Sequence, residues 1–264
     1  MSDFTTEIHP LWQHDKDAAT ITAFLPKEPK SDCAIVILPG GAYYFRAEHE
    51  GKGYAEFFAA KGIPAFVVDY RCRTHPFPIP LLDARRGVQF VRKNAEIYRI
   101  DPKKIAIMGS SAGGHLAALC ATYHKPLPTP EDDGTDFLPN AQILCYPVIN
   151  LYDKDVTHAD SARNFLGEEH ADSAQALSPN LIANDQTPPA FLWHTLEDSA
   201  VHVKNSLDYL SKLKQCGVKA ELHVFPEGHH GLGLSLGDDK VSRHVSVWTE
   251  LLLRWLVSID FLKA

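Results

Sequence analysis

Residues 109–113 read Gly-Ser-Ser-Ala-Gly, a Gly-x-Ser-x-Gly pattern, and their neighbours restrict what this chain can fold into. Lys104-Ile105-Ala106-Ile107-Met108 before them reads as a short buried strand. His115-Leu116-Ala117-Ala118-Leu119-Cys120-Ala121 after them reads as an apolar, Ala-rich helix. A strand that turns sharply into a helix through small residues presents the central serine, Ser111, at the bend with its hydroxyl above the sheet edge. Gly109 and Gly113 permit the close backbone approach that such a bend demands. The start of the helix then lies beneath the hydroxyl, where unpaired N–H groups favour negative charge.

The rest of the chain repeats this alternation. Strands are expected at Thr20–Leu25 (as an edge strand), Cys33–Leu38, Ala65–Tyr70, Ala141–Tyr146, Pro189–His194 and Ala220–Phe225. Helices are expected near Tyr54–Lys61, from Pro78–Pro80 to about Asn94, from about Val201 to Gln215, and near Val241–Leu256. Strand and helix in alternation imply an α/β fold, a mostly parallel sheet covered on both faces. A chain of 264 residues, 45% of them hydrophobic, suffices for one domain of this kind. Two polar stretches break the rhythm, at about 125–140 and 150–188, and are expected to form a small cap above the strand ends. The apolar tail Leu251–Val257 is compatible with packing on the core or on a second subunit, as in a homo-oligomer.

The formal charge of -7 comes with no basic block, which disfavours nucleic acid and anionic membranes as partners. No apolar run is long enough to span a bilayer. The first residues, Met1 to Glu7, lack the pattern of a secretion signal. Five scattered cysteines, mostly in apolar segments, suit reduced thiols and a cytoplasmic location.

Ser111 needs a base and an acid, and both have candidates at later strand ends, where sites gather in open α/β sheets. Asp198 follows the Pro189–His194 strand, with Glu197 as its neighbour and competitor. Pro226-Glu227-Gly228 ends the Ala220–Phe225 strand, and His229 and His230 lie in the loop beyond; either could reach back over the sheet. No cluster has zinc-type spacing, so no metal is expected. Upstream, Pro39-Gly40-Gly41-Ala42-Tyr43-Tyr44 follows the Cys33–Leu38 strand. Gly41 and Ala42, with Ala112 after the serine, are candidate backbone donors to an oxyanion. Tyr43 and Tyr44 are candidate pocket walls. His115, one turn beyond Ser111, reads as a supporting residue.

Taken together, these segments resemble an α/β-hydrolase of the carboxylesterase and acetyl-xylan-esterase-like group, akin to the hormone-sensitive-lipase-like esterases. The resemblance is carried by Pro39–Tyr43; Asp69-Tyr70-Arg71 with His75–Pro78; Ile100-Asp101-Pro102 leading to Met108–Ala117; Tyr146-Pro147-Val148; Trp193–Val201; and Phe225–Gly231. It implies a Ser111, Asp198, His230 triad. The Gly-x-His-Gly pattern of such esterases falls on Gly228–Gly231 and assigns the catalytic role to His230. Pro39 stands where relatives carry the His of His-Gly-Gly-Gly, and Ala42 where they carry its last Gly; the donors are backbone groups in either case. The resemblance implies hydrolysis of small acyl esters through an acyl-enzyme, acetylated sugars being a favoured substrate class, without a metal or cofactor. An arylformamidase or small peptidase on the same scaffold, or a non-catalytic binding protein, are the alternatives.

Overall fold

The computed structural model describes residues 3–15, 18–129 and 131–263; Met1 and Ser2 of the N-terminal stretch and Pro130 of the 125–140 stretch lie outside them. Its strands are β1 (Phe4–Pro10), β2 (Thr20–Pro26), β3 (Ala34–Leu38), β4 (Ala65–Asp69), β5 (Ile105–Ser110), β6 (Ala141–Cys145), β7 (Ala190–Thr195) and β8 (Ala220–Phe225). They form a sheet of order β1-β2-β4-β3-β5-β6-β7-β8. β1 and β2 are antiparallel to their neighbours, and β3 through β8 are mutually parallel. The helices are α1 (Glu48–Ala60), α2 (Ile79–Lys93), α3 (Ala95–Tyr98), α4 (Ser111–Thr122), α5 (Ala159–Leu166), α6 (Pro179–Ile182), α7 (Lys204–Gln215), α8 (Lys240–Val245) and α9 (Trp248–Ser258).

The strand sequences explain the order. β3, β5, β6 and β7 are buried at every position, as apolar strands covered on both faces must be. Alternate side chains serve two cores. Ala34, Val36 and Leu38 join the core under α2, α4 and α7, whereas Ile35 and Ile37 face the core under α1 and α9. On the second face Trp193 of β7 stacks on Trp248 of α9, with ring centroids 5.1 Å apart. Leu252, Trp255 and Leu256 are buried there, so the C-terminal apolar tail packs on the core of its own chain.

Four expectations need correction. The Thr20–Leu25 strand is not at the edge, because β1 pairs along its outer side. Five of the seven β1 residues are polar or proline, and that hid the strand. α1 starts six residues before Tyr54, since its charged first turn, Glu48-His49-Glu50, shows no apolar period. The C-terminal helix is two helices, broken at Ser246-Val247. The described residues of 125–140, expected over the strand ends, lie along α2 instead. Arg92 holds the carbonyls of Asp136 and Leu138, Gln89 holds that of Thr135, and Lys93 pairs with Asp133. The stretch leaves the C-terminus of α4 and enters the start of β6, both at the far end of the strands from Ser111. Asn140 N bonds Ile105 O at the first residue of β5.

Residues 150–188 hold α5, a 3₁₀ turn at Ala171–Ser173 and α6. Asn205, fully buried on α7, accepts from the N–H groups of Ile149 and Asn150 and donates to Val156 O, fixing the start of this stretch. From within the stretch, α5 reaches the 40–44 loop through Asn164.

Candidate active site

Ser111 is the first residue of α4 and has φ 53°, a strained conformation for a residue with a Cβ. The glycines around it are sterically required. A Cβ on Gly109 would lie 2.1 Å from Gly113 O, and one on Gly113 would lie 2.1 Å from Leu38 O. β5, α4 and β3 therefore meet backbone to backbone at the bend, and the serine hydroxyl is pushed above it.

Three loops converge there. His230 Nε2 is 2.9 Å from Ser111 Oγ, and His230 Nδ1 is 2.7 Å from Asp198 Oδ2. Asp198 follows β7 and is 7% exposed. Its Oδ1 accepts from the N–H groups of Ala200 and Val201, and its Oδ2 also lies 3.3 Å from His194 Nε2. Burial by itself would raise the Asp198 carboxyl; hydrogen bonds from His194, His230 and Val201 N outweigh it and hold the group well below the usual carboxylate range. The site thus contains a fixed anion behind the imidazole, which favours the Nδ1–H tautomer and leaves Nε2 free to accept the Ser111 proton.

The neighbouring candidates take other roles. Glu197 is exposed, and its Oε2 accepts from Gly228 N at 3.2 Å. With Thr195 Oγ1 donating to Gly228 O, it anchors the histidine loop. His229 is exposed and turned away, its Nδ1 donating to His230 O. Among the described residues no group of three or more His, Cys, Asp or Glu gathers with metal-ligand geometry.

The 40–44 loop is a tight turn with Gly41, Ala42 and Tyr43 all at positive φ. Tyr44 N and Phe45 N both bond Gly41 O, and Asn164 of α5 donates to Ala42 O at 2.8 Å. The N–H groups of Gly41 and Ala42 have no acceptor among the described residues, and that of Ala112 belongs to the unpaired first turn of α4.

Tyr43 does not line a pocket. It is fully buried between Tyr70, Phe165 and His115, and its hydroxyl donates to His115 Nδ1 at 2.6 Å. A buried tyrosine needs a partner for its O–H, and this one finds it across the core. Tyr44 is 53% exposed, with the Arg73 guanidinium 4.2 Å from its ring centre. With Phe45, Arg46, Asp69 and His75 it lines a cleft of about 910 Å³. Ser111, Asp198 and His230 are not among the walls of that cleft.

His115 Nε2 donates to Leu177 O at 2.9 Å, so the ring joins the 40–44 loop, through Tyr43, to the 150–188 stretch. Burial lowers its pKa from 6.5 to about 4, against the smaller opposing pull of the Leu177 carbonyl. The unfolded chain therefore binds this proton more tightly than the folded one. The stabilisation is complete above pH 6.5 and is lost as pH falls toward 4, a difference of about 3 kcal/mol. Asp198 keeps its own contribution above the usual carboxylate range and loses it as pH falls through and below that range. Urea unfolding at pH 7 and 4.5 is expected to show this loss, and His115→Gln to flatten the slope while lowering stability at pH 7. An unchanged slope would assign the acid sensitivity to other groups.

Sequence reasoning missed His194, Asn164 and Glu50. His194 is a polar residue inside an apolar strand, which was a usable signal. Glu50 lies ahead of the helix expected near Tyr54–Lys61 and so was not considered. Asn164 gave no signal, because its partner is 122 residues away.

Residues 22–213 match the BD-FAE family. The chain is 35% identical to the acetylxylan esterase of Xylanibacter ruminicola over 83% of its own length and 45% of the relative's. It is 40% identical to endo-1,4-beta-xylanase B of Butyrivibrio fibrisolvens over 77% of its own length and 33% of the relative's. It thus spans less than half the length of these curated relatives. The acetyl ester-xyloside bifunctional hydrolase of Caldicellulosiruptor lactoaceticus superposes with a TM-score of 0.88 at 37% identity, covering 97% of each chain. By sequence and by fold, the chain belongs to the BD-FAE family of α/β-hydrolase esterases.

Proposed function

We propose that this chain hydrolyses short acyl esters, acetyl groups on carbohydrates above all, with Ser111 as nucleophile, His230 as general base and acid, and Asp198 as the residue that orients and balances the imidazole. The observation that carries the reading is the continuous series from Ser111 Oγ to His230 to Asp198, at 2.9 and 2.7 Å. Ser111 Oγ attacks the ester carbonyl carbon as its proton passes to His230 Nε2. The carbonyl electron pair moves onto oxygen, where the N–H groups of Gly41, Ala42 and Ala112 receive it; one such donor is worth about 3 kcal/mol in comparable sites. The tetrahedral species collapses, the alcohol leaves with the Nε2 proton, and an acyl group remains on Ser111. Water, deprotonated by His230, releases the acid and restores the serine.

The sugar portion would extend toward Tyr44 and Phe45, whose exposed rings adjoin the oxyanion loop; a Cβ on Gly41 would lie 3.1 Å from Phe45 Cδ2. α5 and the 150–188 stretch act as a small cap on the other side. The names of the xylan-active relatives support the carbohydrate class. The five free cysteines support a reducing compartment such as the cytoplasm. Among the described residues no helix is long and apolar enough to cross a membrane.

A fluorophosphonate probe is expected to label the chain at Ser111, and a panel of acetyl to octanoyl esters, acetylated xylo-oligosaccharides, an aryl formamide and a dipeptide amide to show highest kcat/KM on acetyl esters. Preference for the formamide or amide would replace the substrate class while leaving the nucleophile; absence of labelling and turnover would remove both.

A further inference from the structure

One buried carboxylate has no task in this machinery. Glu50, in the first turn of α1, is 3% exposed. Among the described residues its nearest basic side chain is the exposed His49, 3.9 Å away. A carboxylate is costly to bury unless its oxygens are filled by donors. Here the two oxygens take donors from two different loops.

Glu50 Oε2 accepts from Gly40 N at 2.9 Å, at the root of the oxyanion loop. The fit is close: a Cβ on Gly40 would lie 2.4 Å from that oxygen and 3.1 Å from Ser111 Cβ. Glu50 Oε1 accepts from the Tyr146 hydroxyl at 2.7 Å. Tyr146 follows β6, and its ring stands at 70° to the His230 ring with centroids 5.0 Å apart. The same hydroxyl accepts from Gly233 N at 2.9 Å, beyond His230 on the histidine loop. His49, beside Glu50, donates to Gly231 O at 3.0 Å.

We infer that Glu50 is a positioning residue: one carboxylate braces the oxyanion loop against the His230 loop, through Gly40 on one side and Tyr146 on the other. It sets the spacing between the donors that meet the oxyanion and the ring that moves the proton. The inference rests on the catalytic reading given above. A carboxylate suits the task because it offers two acceptor oxygens and no donor. Glutamine can keep the brace if the Tyr146 hydroxyl rotates to accept from the amide nitrogen while the amide oxygen still accepts from Gly40. Alanine cannot, and Tyr146→Phe removes one arm.

The test uses the whole chain with p-nitrophenyl acetate, reading kcat and KM separately, together with the rate of Ser111 labelling by a fluorophosphonate. Misplacing catalytic groups by a fraction of an ångström to one ångström predicts a kcat about 10- to 100-fold lower in Glu50→Ala and Tyr146→Phe, with KM within about twofold and labelling slowed alongside kcat. Glu50→Gln should recover kcat to within about threefold of wild type. Wild-type kcat in Glu50→Ala and Tyr146→Phe overturns the brace, as does a glutamine variant as slow as alanine. If Glu50→Ala fails to fold by near-ultraviolet circular dichroism, folded Tyr146→Phe and Glu50→Gln decide in the same terms. A wild-type chain that neither turns over nor labels defeats the catalytic reading itself; an active wild type with equally active variants defeats the brace alone.

Discussion

Ser111→Ala is expected to lower kcat on p-nitrophenyl acetate by about 10⁵-fold and leave the fold intact. The magnitude follows from removing the proposed nucleophile; in that reading what remains is the backbone donors and a histidine able to activate water, which in a comparable triad leaves a small residual rate. The fold should survive because alanine occupies nearly the same volume, and Ser111 already has the positive φ that alanine would have to adopt. The hydroxyl bonds His230 Nε2, whose ring is only partly buried, so water can take its place. Pre-steady-state traces should lose their acyl-enzyme burst, and thermal unfolding should change by less than about 1 kcal/mol. Retention of more than about a tenth of wild-type turnover would mean that another group does the chemistry.

Gly113→Ala is expected to damage the fold at the same bend. In an exposed helix this change would stabilise by up to about 1 kcal/mol. At Gly113 the new methyl would lie 2.1 Å from Leu38 O and 2.5 Å from Pro39 O. Both obstacles are backbone of the central sheet and its outgoing loop, so neither can rotate aside. α4 must move off β3, and the expected cost is about 3 kcal/mol. In a chain of this size that lowers Tm by about 6 °C. The same displacement disturbs Pro39 and Gly40, so kcat should fall in whatever fraction remains folded. Gly53→Ala in α1 is the internal control, because a Cβ there meets nothing within 4 Å. Its Tm should hold or rise. Equal Tm values for the two variants would show that α4 and β3 are less tightly joined than their geometry states.

The central strands were legible because burial on both faces leaves only one reading for Ala34–Leu38, Ile105–Ser110 and Ala190–Thr195. The residues now meeting at Ser111 were legible for a related reason: each follows a strand, buried throughout for Ser111 and Asp198 and alternating apolar and polar for His230, and chain order restricted the search. What the sequence hid was pairing between distant polar atoms. β1 carries mostly polar residues, and only its register with β2 defines it. Tyr43 follows a glycine loop and reads as a pocket wall, yet it turns inward because His115 and Phe165 offer its ring and hydroxyl a buried place. Residues 125–140 are rich in proline and acids, which predicts exposure but not location; the cations of α2 decide that. Glu50 is the clearest case. Its identity fits any helix start, and only the approach of Gly40 and Tyr146 distinguishes it.

Among the described residues β8 closes one margin of the sheet, bonded to β7 alone and partly exposed along most of its length, whereas β5 is buried throughout. Margins of this kind open at lower free energy than central strands. In the proposed reaction the proton-transferring ring hangs from the frail strand and the attacking oxygen from the sturdy one. Under gentle heating or dilute urea, catalytic competence should therefore fade while the bulk of the secondary structure persists, and return as promptly once the strain is lifted.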